Sequence, residues 1–235
     1  MTPIPYRLDG DDPHKAPIGL IVLQVDETIE WDFRHYFADQ ANPIFISRIP
    51  SGLHATAQTL KAMEENLAQA ADLLPKTRPY PVVGYGCTSA SAMIGSEIVE
   101  AMVKRTCNAT SVTNPLRAAI ACAAHLEISR LALLSPYIEA VNLPLRNAFA
   151  KAGISTDIFA SFAESQEAKI SRISVASIVE AAIRLGSNAQ TEAVFLSCTN
   201  LRTLEAIPMI EKQIKKPVLS SNQALAWHIK ALLES

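Results

Sequence analysis

The chain has 235 residues, 49% hydrophobic and 19% charged, with a formal net charge of −2. That length buries a core in one large domain or two small ones, and the composition excludes a disordered or fibrous chain. The charge balance argues against nucleic acid as a partner, because phosphate binding needs a basic face, and no apolar run reaches the roughly 18–20 residues of a membrane span.

In chain order, residues 1–17 (MTPIPYRLDGDDPHKAP) carry prolines and acids but no apolar h-region or small-residue cleavage site. They read as an arm or loop and not as a signal peptide. IGLIVLQV (18–25) is a buried-strand run, and PIFISRI (43–49) is a second. PVVGYG (81–86), a weaker TSVT (110–113), RLALLS (130–135), TDIFAS (156–161), EAVFLS (192–197) and PVLS (217–220) complete the set. Helical periodicity fills the intervals. Leu60, Met63, Leu67 and Leu74 share one face, as do Ile138, Val141, Leu145 and Phe149, and likewise Val175, Ile178, Val179 and Ala182. Gly153 and Gly186 stand where a helix C-cap glycine belongs. Strand then helix, repeated, predicts an α/β fold of parallel βαβ units with right-handed crossovers.

The cysteines (Cys87, Cys107, Cys122, Cys198) have no CxxC spacing, and no histidine follows either Cys87 or Cys198, which disfavours zinc and structural disulfides. A cytoplasmic compartment with free thiols, no metal and no cofactor is expected. His14, His35, His54, His125 and His228 are scattered without metal spacing. Trp31 and Trp227 read as packing or interface residues.

PVVGYGCTSAS (81–91) and EAVFLSCTNLR (192–202) echo each other about half a chain apart: apolar strand, small residue, Cys-Thr, polar residue, helical pattern. In parallel α/β sheets ligands bind beyond the carboxyl ends of strands, where Cys87 and Cys198 both fall. Each is expected to precede a helix whose first N–H groups lower a thiol pKa from about 8.5 toward neutrality. Thr88, Ser89, Thr199 and Asn200 add donors that suit a carboxylate. A lone buried cysteine is ordinarily packing, and Cys107 and Cys122 are left so; the repeated context separates Cys87 and Cys198 from them. Two thiols flanking a bound acid can racemise it by passing a proton between its faces. Alternatively, one thiolate adds to an activated double bond, the adduct rotates and the thiolate leaves, which is cis–trans isomerisation. A cysteine amidase or hydrolase, or a non-catalytic carboxylate-binding protein, are the competing readings.

GLIVLQVDETIE (19–30), GCTSASAMIG (86–95), SPYIEAVNLPLRNAFAKAGI (135–154), FLSCTNLRT (195–203) and PVLSSNQALAWH (217–228) resemble the maleate isomerase and arylmalonate decarboxylase branch of the Asp/Glu racemase superfamily. Within it the chain most resembles the ectoine-utilisation proteins of Asp/Glu racemase type. The resemblance implies two pseudo-symmetric Rossmann-like or flavodoxin-like halves with the active site in the cleft between them. The first half would comprise 1–112 with 218–235, and the second 113–217. It implies an isomerase or racemase of a small carboxylic acid, in a homo-oligomer (dimer or tetramer). Cys87 matches the nucleophilic cysteine of the maleate isomerases, Cys198 the proton-handling one, and Tyr137 a tyrosine that binds substrate. Thr88, Ser89, Thr199 and Asn200 match carboxylate cradles. Arylmalonate decarboxylases keep only the second cysteine, so Cys87 argues against simple decarboxylation. Asp26 stands where maleate isomerases carry asparagine. It either faces a cationic or amide group of an amino-acid derivative or caps the helix that starts near Thr28. Ser220, Ser221 and Asn222 either line the cleft or cap the last helix.

Overall fold

The computed structural model describes residues 2–8 and 16–234, so His14 and the middle of the N-terminal arm lie outside the described residues. One four-stranded sheet, in the order β2-β1-β3-β4, is built from β1 (Ile18–Leu23), β2 (Ile44–Ile49), β3 (Tyr80–Gly86) and β4 (Ala109–Thr113). A second, in the order β6-β5-β7-β8, repeats the plan with β5 (Leu131–Ser135), β6 (Phe159–Ser161), β7 (Ala193–Leu196) and β8 (Val218–Ser220). Every neighbouring pair is parallel. In each sheet the chain steps from a central strand to one edge and then crosses to the other side. The strand order therefore reverses between β1 and β3, and again between β5 and β7. Such switch points are where open α/β sheets hold ligands.

Helices cover both faces of each sheet. The first half carries α1 (Ile29–Tyr36), α2 (Ala57–Ala62), α3 (Glu64–Asp72), α4 (Thr88–Ile94) and α5 (Ser96–Lys104). The second carries α6 (Pro115–His125), α7 (Glu139–Lys151), α8 (Glu167–Ile170), α9 (Val175–Gly186) and α10 (Ala206–Ile214). The last helix, α11 (Ser221–Glu234), packs on α6, β3 and α1. Burial on both faces explains the unbroken apolar runs. In β1, Ile18, Leu20 and Val22 meet Phe33 and Ile229 of α1 and α11, while Ile21 and Leu23 join Leu60 and Leu67 of α2 and α3. Successive side chains on a strand point to opposite faces, so both sets must be apolar here.

Two expectations need correcting. Residues 218–220, assigned from the sequence to the first half, form β8 and pair with β7 in the second sheet. Gly186 is the last residue of α9 and not a left-handed cap. A Cβ there would lie 2.6 Å from Ile214 Cδ1, so the glycine lets α10 approach without moving that side chain. Gly153, with φ of +78°, does adopt the left-handed conformation after α7.

Candidate active site

The four central strands each deliver one candidate just past their carboxyl ends: Asp26 after β1, Cys87 after β3, Tyr137 after β5 and Cys198 after β7. All four are buried. The two Cys-Thr turns are joined through α11. The Thr88 hydroxyl donates to Ser221 Oγ at 2.7 Å, and the Cys198 N–H donates to the same oxygen at 2.9 Å. The Thr199 hydroxyl reaches across to the Gly86 carbonyl at 3.4 Å. Asn222 Nδ2 donates to the Thr199 carbonyl and to Asp32 Oδ2, both at 2.8 Å. Ser220 Oγ accepts from the Gln223 N–H at 3.2 Å. Ser220 therefore caps α11, while Ser221 and Asn222 hold the site together.

The cysteines depart from expectation in two respects. Cys87 does cap α4, its Sγ accepting from the Ala90 N–H at 3.4 Å. After Cys198 the chain makes a turn, and α10 begins only at Ala206, so no helix N-terminus adjoins that thiol. Its Sγ instead accepts from the Asn200 N–H at 3.3 Å, and the Tyr137 hydroxyl works against the rise of its pKa. Cys198 also has φ of +132°, a strained conformation for a residue with a Cβ. Neither thiol is shifted toward neutrality. Burial pushes Cys87 up to about 12 against the opposing N–H and Ser89 contacts, and holds Cys198 well above its ordinary value. In this closed site desolvation outweighs the donors, and both sulfurs carry protons.

Tyr137 is anchored at its carbonyl by Asn142 Nδ2 at 2.6 Å and by the Ser161 hydroxyl. Burial holds its phenol protonated, and both Cys198 and Cys87 act on it electrostatically. A second buried tyrosine, Tyr85, donates its hydroxyl to Met63 Sδ at 3.8 Å and is raised by burial, with Cys87 adding to the rise. Sequence reading overlooked it, although it lies two residues upstream in the same strand and so on the same side.

Asp26 does cap α1: its Oδ1 accepts from the Thr28 and Ile29 N–H groups, both at 2.8 Å. Its other oxygen, Oδ2, is buried and has no hydrogen-bond partner. Asn200 is committed to the turn after β1. Its Oδ1 accepts from the Glu27 N–H at 3.0 Å, and its Nδ2 donates to the Val25 carbonyl at 3.3 Å and to Glu167 Oε2 at 3.4 Å. Glu167 is the site residue that sequence reading missed. It opens the one-turn helix α8 and is buried. Burial raises its carboxyl to about 7 against the Asn200 contact, with Asp26 adding to the rise. Its charge acts on Cys87, Cys198 and Tyr137. A buried glutamate beginning a short polar loop is a weak sequence signal, and only the fold places it here. The α8 loop is pinned to the first half, where the Leu53 carbonyl accepts the Glu167 N–H at 3.0 Å and the Ala55 N–H donates to the Ser165 carbonyl at 2.7 Å.

Among the described residues, no group of three or more His, Cys, Asp or Glu side chains is placed to hold a metal ion. No helix among them is long and apolar enough to cross a membrane.

A family model described as arylmalonate decarboxylase matches residues 38–235. The arylmalonate decarboxylase of Bordetella bronchiseptica is 32% identical over 119 residues, 50% of this chain and 47% of that protein, so the match spans about half the length of this curated relative. Among solved structures, an arylmalonate decarboxylase variant in its liganded form superposes with a TM-score of 0.82 at 24% identity over 93% of each chain. A maleate isomerase from Pseudomonas putida S16, solved with maleate, gives a TM-score of 0.78 at 19% identity over 93% of this chain and 92% of that one. A maleate cis–trans isomerase from Nocardia farcinica carrying a covalently bound succinylcysteine intermediate gives 0.78 at 19% identity over 93% of each chain. At such identities the structures speak for the fold, two parallel sheets flanked by helices. None of these names refers to ectoine.

Proposed function

The chain belongs to the arylmalonate decarboxylase family, and from that premise we propose that it is a cofactor-independent isomerase or racemase of a small carboxylic acid that works through Cys87 and Cys198. The observation that carries this reading is the hydrogen bonding of one oxygen, Ser221 Oγ, to both cysteine turns. Tyr137, acted on by both sulfurs, supports the same reading. Two protonatable sulfurs therefore border one enclosed space in this reading.

For racemisation, one sulfur gives its proton to water as substrate enters, and the resulting thiolate then removes the α-proton. The electron pair passes into the substrate carboxylate, and the opposite thiol returns a proton to the other face. The N–H groups of Ala90 and Asn200 already point at the sulfurs, and the Tyr137 hydroxyl favours the Cys198 thiolate. They would stabilise a thiolate as it forms. For cis–trans isomerisation, the Cys87 thiolate, its proton given to water, adds to one alkene carbon while the π pair passes into the substrate carboxylate; the C–C single bond rotates, and the returning pair expels the thiolate. The succinylcysteine of the Nocardia farcinica structure is an adduct of that kind. Decarboxylation is the second reading, favoured by the family description and by the curated relative. It needs a single thiol, to protonate the carbanion left after carbon dioxide departs.

The test is an NMR screen of small carboxylates in D₂O with the parent, Cys87→Ser and Cys198→Ser proteins. Exchange or isomerisation lost in both variants supports the two-cysteine reading. Carbon dioxide release that survives Cys87→Ser and fails in Cys198→Ser establishes decarboxylation instead. A trapped thioester with Cys198 dispensable indicates a hydrolase. The four cysteines are free and buried, which fits the cytoplasm. Trp31, 68% exposed, suits an interface of a homo-oligomer, which light scattering would test.

A further inference from the structure

We propose that the site receives a positively charged nitrogen between Asp26 and Glu167, so that the substrate is an amino-substituted carboxylic acid and not a plain dicarboxylate. This rests on the two-cysteine reading, since it places the substrate in the same enclosed space. The first support is the buried, unpartnered Oδ2 of Asp26. The opposite oxygen accepts two N–H groups, an arrangement that favours the ionised carboxylate. Burial nonetheless raises the Asp26 carboxyl above its ordinary value, and a cation paired with the bare oxygen would offset that desolvation. The nearby Thr199 hydroxyl favours the charged form, but its own hydrogen bond goes to the Gly86 carbonyl.

The second support is the company Asp26 keeps. Asp26 and Glu167 act electrostatically on one another's surroundings and on both cysteines. Asp32 lies behind them, bonded to Asn222. Glu167 is tied to the turn that carries Asp26 through Asn200, and the residues that follow β3, β5 and β7 here, Cys87, Tyr137 and Cys198, are not cationic. Of the neighbouring guanidinium groups, Arg48 acts on the Asp26 carboxyl only as a nearby charge, its hydrogen bonds going to other acceptors. Arg48 donates to the carbonyls of Leu23, Gln24 and Asp26 and pairs with Glu30. Arg172 pairs with Glu27 at 2.8 Å. A dianion entering here would meet two buried acids and no free positive charge, whereas an ammonium would satisfy Oδ2 and share the charge of Glu167.

Matched pairs that differ only by an amino group test this: succinate against aspartate, glutarate against glutamate, and butyrate against 2-aminobutyrate and 2,4-diaminobutyrate. Binding by calorimetry and α-proton exchange in D₂O are read for each, in both enantiomers. At least one ammonium-bearing member is expected to bind about tenfold or more tighter than its des-amino partner. Asp26→Asn and Glu167→Gln, each isosteric and checked for folding by circular dichroism, should each cut that preference about tenfold. If no amino member outbinds its partner, or if either variant keeps the preference, the assignment is overturned. The two readings fail separately. Charge selectivity without exchange that depends on the cysteines would sink the two-cysteine reading alone, and cysteine-dependent exchange confined to des-amino acids would sink this one alone.

Discussion

The two Cys-Thr turns have nearly the same sequence plan and different backbones. Cys87 lies in ordinary extended geometry at φ of −149° and its sulfur caps a helix. Cys198 lies at φ of +132° and is followed by a turn. The second turn depends on outside help, from Ser221 at its N–H and Asn222 at the Thr199 carbonyl. The residue type repeats, as the proposed two-cysteine chemistry requires. The backbone differs because the first turn runs straight into a helix and the second does not. Strain of this kind persists only where neighbours over-determine it.

The largest effects should erase that difference. Cys87→Ser and Cys198→Ser are each expected to lower turnover by about 10²–10⁴-fold, since each removes a proton-transfer or nucleophilic partner. Steady-state rates on the best substrate from the D₂O screen check it. A large loss at one cysteine only would leave the two turns unequal in chemistry as well as in shape.

The next effects should expose the difference as stability. Ser221→Ala leaves the buried Cys198 N–H without its acceptor and should cost about 1–3 kcal/mol. Thr88→Val removes only a donor to the same oxygen, leaves the Cys198 bond intact, and should cost about 0.5–1.5 kcal/mol. Urea unfolding gives both values. The reverse order would mean that the first turn, not the strained one, leans on α11.

Backbone strain itself can be read by glycine. At position 198, Gly should be more stable than Ala by about 1 kcal/mol, because a positive φ penalises any Cβ. At position 87 the order should invert, Ala exceeding Gly by about 0.5–1 kcal/mol, because extended geometry suits Ala and glycine adds chain entropy. Both comparisons use catalytically dead proteins, so only folding is measured. Equal ordering at the two sites would remove the distinction drawn above.

Much of this was legible before any coordinates. The strands announced themselves because both faces of each sheet are covered, so β1 and β7 have no polar residue to interrupt them. The Cys-Thr echo located both turns because the chemistry is written in residue types. Conformation was not written there. SCTN and GCTS look alike, yet the positive φ at Cys198 follows from contacts with α11 that lie far away in sequence. Glu167 was invisible for a related reason: a glutamate in a polar loop is ordinarily solvated, and only the docking of that loop onto Leu53 and Ala55 buries it. Asp26 was half legible. Its capping role is local, and its bare second oxygen belongs to the tertiary structure.

The smallest expected effect sets one raised carboxyl from each half against the other. Glu167, on the second half, rises from 4.5 to about 7, and Asp32, on the first, from 3.8 to about 6, in both cases chiefly through burial. An acid whose folded pKa is raised binds protons more tightly in the folded chain, so its contribution is complete below the unfolded pKa and is lost as pH rises toward the folded value. The Glu167 share should therefore fade between pH 4.5 and about 7, and the Asp32 share between pH 3.8 and about 6. Glu100, lowered by Lys104 and Arg117 against its own desolvation, works in the opposite sense at lower pH. Melting temperatures taken across this range should show Glu167→Gln flattening the fall up to about pH 7, and Asp32→Asn flattening it only up to about pH 6. Two variants with the same profile would mean that the carboxyls titrate as one coupled group across the cleft. The halves would then be joined electrostatically as closely as Ser221 joins them by hydrogen bonds.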